Sequence, residues 1–103
     1  MLPTLRETVD FYGLMANKAL GQNFLLDSNI TDKIIRLSLA QQNISDFKNH
    51  NVIEIGPGPG GLTRSILGAD PKSLTVVEMD SRCIKIMEDL KVETDTPMDI
   101  VNG

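Results

Sequence analysis

An α/β fold built on a parallel sheet is what this sequence predicts, and three observations predict it. Apolar runs at 52–55, 74–77 and 98–101 have strand length and alternate with stretches of helical periodicity. The first run empties into a glycine-rich bend, Gly56-Pro57-Gly58-Pro59-Gly60-Gly61, after which helical spacing resumes at Leu62. With 103 residues, 41% of them hydrophobic, the chain has material for one small domain.

Taken in order, the elements have local causes. Thr4 and Glu7 stand at capping-box spacing and predict a helix from about Thr4 to Tyr12, stopped by Gly13. A second helix is predicted over about Ile30 to Gln42, with Ile30, Ile34 and Leu37 on one face. The strand near Val52, the bend and a helix from Leu62 to Leu67 come next. Leu74-Thr75-Val76-Val77 reads as the second strand, closed by Glu78. Asp80 before Ser81 reads as the N-cap of a helix to Leu90, with Ile84, Met87 and Lys91 at helical spacing. Thr94 to Pro97 is a loose loop, and Met98-Asp99-Ile100-Val101 is the last strand. Right-handed crossovers would put the Val52 strand in the middle of a complete sheet of this topology. With only three strands it becomes an edge, its apolar ladder unpaired and prone to aggregation.

The bend is where a ligand can approach the backbone, because a strand feeds a helix through a loop with little side-chain bulk. Three ligand readings compete for it. Gly56, Gly58 and Gly61 satisfy the dinucleotide spacing GxGxxG, which alone is a weak signal. The P-loop spacing fails, since Leu62 stands where a phosphate-binding lysine is needed. Glu54, Gly56, Gly58 and Gly60 satisfy Glu-x-Gly-x-Gly-x-Gly, the opening motif of S-adenosylmethionine-dependent methyltransferases. Pro57 and Pro59 favour this last reading. A diphosphate needs backbone N–H donors and proline has none, whereas the methyl donor carries no phosphate. A tight turn with no ligand is the bland alternative.

An acid about 20 residues further on, at the end of the next strand, should complete such a site. Glu78 stands there. It can accept the ribose hydroxyls of an adenosine, and so supports an adenosine ligand without separating the two cofactors.

A third motif lies upstream, in Lys18-Ala19-Leu20-Gly21-Gln22-Asn23-Phe24-Leu25-Leu26-Asp27. Gly-Gln-Asn-Phe-Leu, then Val-Ile-Glu-Ile-Gly-Pro-Gly-x-Gly-x-Leu-Thr, then Val-Val-Glu-x-Asp resembles the ribosomal RNA adenine dimethyltransferases over the chain from about Leu5 to Gly103. That family methylates two neighbouring adenines of small-subunit ribosomal RNA. Its sister group, which methylates large-subunit RNA and confers antibiotic resistance, shares a Gln-Asn-Phe element. The resemblance implies a partial Rossmann-like class I methyltransferase fold, truncated after its first three parallel strands. It divides the chain into residues 1–50, the N-terminal helices with the cofactor-contact segment, and 51–103, the incomplete first half of the S-adenosylmethionine-binding domain. It implies that Asn23 and Leu25 touch the cofactor, that Gly56 lies against its amino-acid end, and that Glu78 holds the ribose. Without the resemblance, Asn23 reads as a loop residue bonding its own backbone and Leu25 as core packing.

Beyond the third strand the sequence departs from the family pattern. The further acid, the Asn-x-Pro-Tyr element that holds the adenine amine and stacks on the base, and the helical RNA-docking domain have no counterpart in these residues. No catalytic residue is therefore assigned. In the intact reaction the exocyclic amine attacks the donor methyl in line, twice per base, chiefly through orientation and desolvation.

Charge points away from RNA binding by these residues alone. There are 10 Lys and Arg against 14 Asp and Glu, and the whole acidic excess falls in residues 70–103. Lys18 could add one phosphate contact, though a solvated surface lysine is the commoner case. Cys83 is single, which gives neither a disulfide framework nor a metal set, and His50 has no companion at ligand spacing. No metal site is expected. No apolar run approaches the ~20 residues that span a bilayer. Asn29-Ile30-Thr31 and Asn43-Ile44-Ser45 match the glycosylation pattern without a signal peptide, so the cytoplasm is the expected compartment. The expectation is thus the cofactor-binding part of an enzyme that dimethylates small-subunit ribosomal RNA. The alternatives are a truncated product with residual nucleoside affinity, a large-subunit RNA methyltransferase, and a dinucleotide-binding half-domain.

Overall fold

Thr4 starts the first helix as its spacing predicts. Its hydroxyl accepts from the Glu7 amide at 3.1 Å and the Glu7 carboxylate accepts from the Thr4 amide at 2.9 Å. The computed structural model describes residues 2–14 and 26–103. Helix α1 spans Leu5–Phe11 and ends before Gly13, whose φ of +65° only glycine adopts readily. Helix α2 spans Ser28–Gln41. Strand β1, Asn51–Ile55, leads through the glycine bend into α3, Gly61–Gly68. Strand β2, Ser73–Glu78, is followed by α4, Ser81–Glu93, and β3, Met98–Asn102.

The three strands form a parallel sheet in the order β1-β2-β3, so the chain is α/β and β1 is an edge. Helices α3 and α4 are the crossovers, and together with α2 they cover one face. The core is built there from Ile35 and Leu39 of α2, Ile66 of α3, Leu74 and Val76 of β2, Ile86, Met87 and Leu90 of α4, and Met98 of β3. Among the described residues, no helix covers the opposite face. Ile53, Thr75 and Asp99 lie in register across it, as do Ile55, Val77 and Val101. Ile53 is 68% and Ile55 80% exposed, whereas Leu74 and Val76 on the covered face are 0% exposed.

Two faces differ from the expected ones. Helix α2 buries Thr31, Ile35 and Leu39, a stripe at i, i+4, i+8, while Ile34 and Leu37 are exposed. Apolar spacing alone does not see that Thr31 is needed inside. Its hydroxyl lies 2.7 Å from the Ser65 hydroxyl of α3, which also reaches the Asp32 carboxylate at 2.6 Å. Helix α4 buries Cys83, Ile86, Met87 and Leu90 rather than a row through Lys91.

Candidate glycine-loop nucleoside site

Parallel pairing brings the C-terminal ends of β1 and β2 side by side, so the bend after Ile55 and the carboxylate of Glu78 meet at one edge of the sheet. Gly56, Gly58 and Gly60 all adopt positive φ, at +68°, +57° and +95°. This alternation matches Glu-x-Gly-x-Gly-x-Gly. Gly61, the third glycine of the dinucleotide spacing, is simply the first residue of α3. A Cβ at Gly56 or Gly58 would meet nothing within 4 Å among the described residues, which leaves the loop surface open to a ligand. At Gly60 a Cβ would stand 3.0 Å from Met87 Cε and 3.2 Å from Leu90 Cδ1. Gly60 is therefore the glycine that lets the loop lie against α4.

The amides of Gly56, Gly58 and Gly60 are all engaged. Gly56 N–H donates to the Val77 carbonyl at 2.8 Å and Gly60 N–H to the Pro57 carbonyl at 3.0 Å. Gly58 N–H donates to Glu78 Oε1 at 3.0 Å. Pro57 and Pro59 have no N–H. Residues 56–60 thus present no free backbone donor to a diphosphate.

Glu78 is 8% exposed. Besides Gly58, it accepts through Oε2 from the amides of Met79 at 2.9 Å and Asp80 at 3.0 Å. A carboxylate has about four acceptor positions, so one remains on Oε1 for a ligand hydroxyl. These amide bonds hold the carboxylate at the loop before any ligand arrives. Asp80 is the helix cap. Its side chain accepts from the Arg82 amide at 2.9 Å and pairs with the Arg82 guanidinium at 2.9 Å. These bonds, the guanidinium foremost, bring the Asp80 carboxyl down to about 2.

Glu54 sits on the covered face of β1 and is 9% exposed. Its Oε1 accepts from the Thr63 hydroxyl of α3 at 2.5 Å. Burial holds its carboxyl above the ordinary value, with the Thr63 bond opposing and the Glu78 charge adding to the rise. The motif spacing gives Glu54 a place but no partner. Nothing local to the strand marks Thr63 as the group it meets. The bond from Gly58 to Glu78 was likewise out of reach, because it depends on strand register.

The loop keeps the Glu-x-Gly-x-Gly-x-Gly spacing, and the acid at the end of β2 closes it through Gly58. The chain matches a family model described as ribosomal RNA adenine dimethylase over residues 13–103. It belongs to that family. It is 53% identical over 90 residues to dimethyladenosine transferase 1, mitochondrial, of Vermamoeba vermiformis, covering 87% of this chain and 24% of that protein. It is 44% identical over 102 residues to ribosomal RNA small subunit methyltransferase A of Sinorhizobium medicae, covering 99% of this chain and 35% of that protein. The protein of the same name from Rhizobium meliloti is 44% identical over 100 residues, covering 97% and 34%. The chain thus spans about a quarter to a third of the length of the curated relatives it matches.

Of the residues expected to hold the donor, the structure brings Gly56 and Glu78 of this dimethylase-family chain to the same sheet edge, joined through Gly58. Asn23 and Leu25 lie outside the described residues, as does Lys18. Among the described residues no group of His, Cys, Asp and Glu is placed to hold a metal ion, and no helix is long and apolar enough to cross a membrane. A separate cleft of about 480 Å³, lined by residues such as Leu2, Phe11, Tyr12, Arg64 and Leu90, shares no residue with the loop. Cys83 is a buried residue of α4.

Proposed function

We propose that this chain forms the S-adenosylmethionine-binding part of an enzyme that dimethylates two adjacent adenines of small-subunit ribosomal RNA. The observation that carries the reading is the donor-exhausted glycine loop closed by Glu78. It suits a nucleoside bearing a sulfonium and an amino-acid tail, and residues 56–60 offer no free amide to a diphosphate. In this reading the remaining acceptor position of Glu78 takes a ribose hydroxyl, and Gly56 lies along the amino-acid end with no side chain to obstruct it. Asn23 and Leu25 complete the grip from the N-terminal segment. S-adenosylmethionine supplies an electrophilic methyl group. These residues bind and orient it, and the adenine-positioning Asn-x-Pro-aromatic element is not among the 103 residues.

The names of the relatives support this substrate, since they specify small-subunit ribosomal RNA and dimethyladenosine. With a formal net charge of −4, these residues supply little positive surface to RNA, and the chain alone is proposed to be inactive on RNA. The proposed compartment is the cytoplasm, in keeping with a single free cysteine. Titration calorimetry with S-adenosylhomocysteine and with NAD tests the reading. Selective binding of the first, abolished in Glu78→Ala, is expected. Selective binding of NAD would replace the reading with a dinucleotide site, and methyl transfer to RNA by the chain alone would overturn the proposed inactivity.

A further inference from the structure

Helix α3 begins without a side-chain cap. Its N-cap is Gly60, which has no side chain to accept from the first amides. Something else must fix how the helix leaves the loop. Thr63, in the first turn, is 0% exposed and donates its hydroxyl to Glu54 Oε1 at 2.5 Å. Glu54 is the last residue but one of β1. The bond therefore joins the strand before the loop to the helix after it, and everything between, including the left-handed glycines 56, 58 and 60, is closed off at its base. At the loop's far side, Gly58 is held by Glu78.

A carboxylate buried in an edge strand is a poor choice for stability alone, because an apolar pair at 54 and 63 would avoid desolvating a charge. What the pair supplies is a fixed geometry.

We propose that Thr63 is a positioning residue of the nucleoside site, its hydroxyl clamping Glu54 so that the two ends of the glycine loop are held at one spacing and Gly56 and Glu78 stay at the separation a bound nucleoside must bridge. This rests on the methyl-donor reading and adds to it a residue that does not touch the ligand. The step is purely non-covalent.

The test uses the 103-residue chain and two readouts: affinity for S-adenosylhomocysteine by calorimetry, and the amide resonances of Gly56, Gly58 and Gly60 without ligand. Thr63→Val removes the donor at nearly constant shape. It is expected to shift the three glycine resonances and to weaken binding by about tenfold, the worth of one buried hydrogen bond. Thr63→Ser, which keeps the hydroxyl, is expected to restore both to within about threefold and near-native shifts. Where Thr63→Val does not fold, Glu54→Met against Glu54→Gln reads the same clamp, since only the amide keeps an acceptor for Thr63. Unmoved glycine resonances in Thr63→Val, or in Glu54→Met, overturn the clamp. So does a Thr63→Ser variant as weak as Thr63→Val. Wild-type chain that binds no S-adenosylhomocysteine defeats the methyl-donor reading instead, and the resonances still decide whether Thr63 shapes the loop.

Discussion

Replacing Gly60 with alanine separates the two things that glycine does in this loop. Its φ of +95° puts an L-residue in a strained region, a penalty of about 1–3 kcal/mol. The added Cβ would also stand 3.0 Å from Met87 Cε and 3.2 Å from Leu90 Cδ1, side chains that are 0% and 2% exposed. Both neighbours must retreat by a few tenths of an ångström in a filled core, which adds about 1–3 kcal/mol of overpacking. Met87 yields more easily than Leu90, because its terminal methyl sits on a flexible thioether. The sum is about 2–6 kcal/mol, a large part of the roughly 5–15 kcal/mol that holds a small domain together. Gly56→Ala and Gly58→Ala carry the strain without the collision, since no described residue lies within 4 Å of either Cβ. They should lose about 1–3 kcal/mol. Urea unfolding of the three variants followed by far-UV circular dichroism measures the difference. If Gly60→Ala unfolds at the same midpoint as Gly56→Ala with an unchanged slope, the close approach of the loop to α4 is not real.

Three further outcomes are expected from the same structure. The folded chain holds the Glu54 proton to higher pH than the unfolded chain, so stability falls as pH rises upward from the ordinary value of 4.5. Glu54→Gln should flatten that fall in thermal melts taken across the range, and an unchanged slope would remove Glu54 from the explanation. Burial, with the Glu78 and Asp80 charges behind it, pushes the Cys83 thiol up to about 11. The native chain should react with a thiol reagent at neutral pH far more slowly than the chain in urea, and equal rates would refute the burial. Ile55→Lys, on an open face where Ile55 is 80% exposed, should reduce self-association in sedimentation velocity while leaving the circular dichroism unchanged. Undiminished association would clear the β1 edge and face of that role.

What the sequence made legible was whatever its neighbours in the chain determine. Thr4 with Glu7, Asp80 before Ser81 and Gly13 are cap and stop signals acting over a few residues, and each holds in the structure. The three parallel strands, with β1 at an edge, followed from alternating apolar runs and crossover handedness. Less legible was whatever a partner element determines. Helix α2 begins at Ser28 rather than near Ile30 because Asp27 caps it, accepting from the Asn29 amide at 2.9 Å. Its buried stripe runs through Thr31 because Ser65 waits on α3. In the site, Gly56 and Glu78 could be named from spacing, but the amides that fix Glu78 and the hydroxyl that fixes Glu54 come from elsewhere in the fold. Ile34 and Leu37 show the converse, being apolar, helical in spacing and exposed.

The most direct test is a crystal of the chain soaked in an equimolar mixture of S-adenosylhomocysteine and NAD. The account predicts density for the first compound alone, with a ribose hydroxyl on Glu78 Oε1 and the amino-acid end beside Gly56. Density for the NAD diphosphate on residues 56–60 would contradict it.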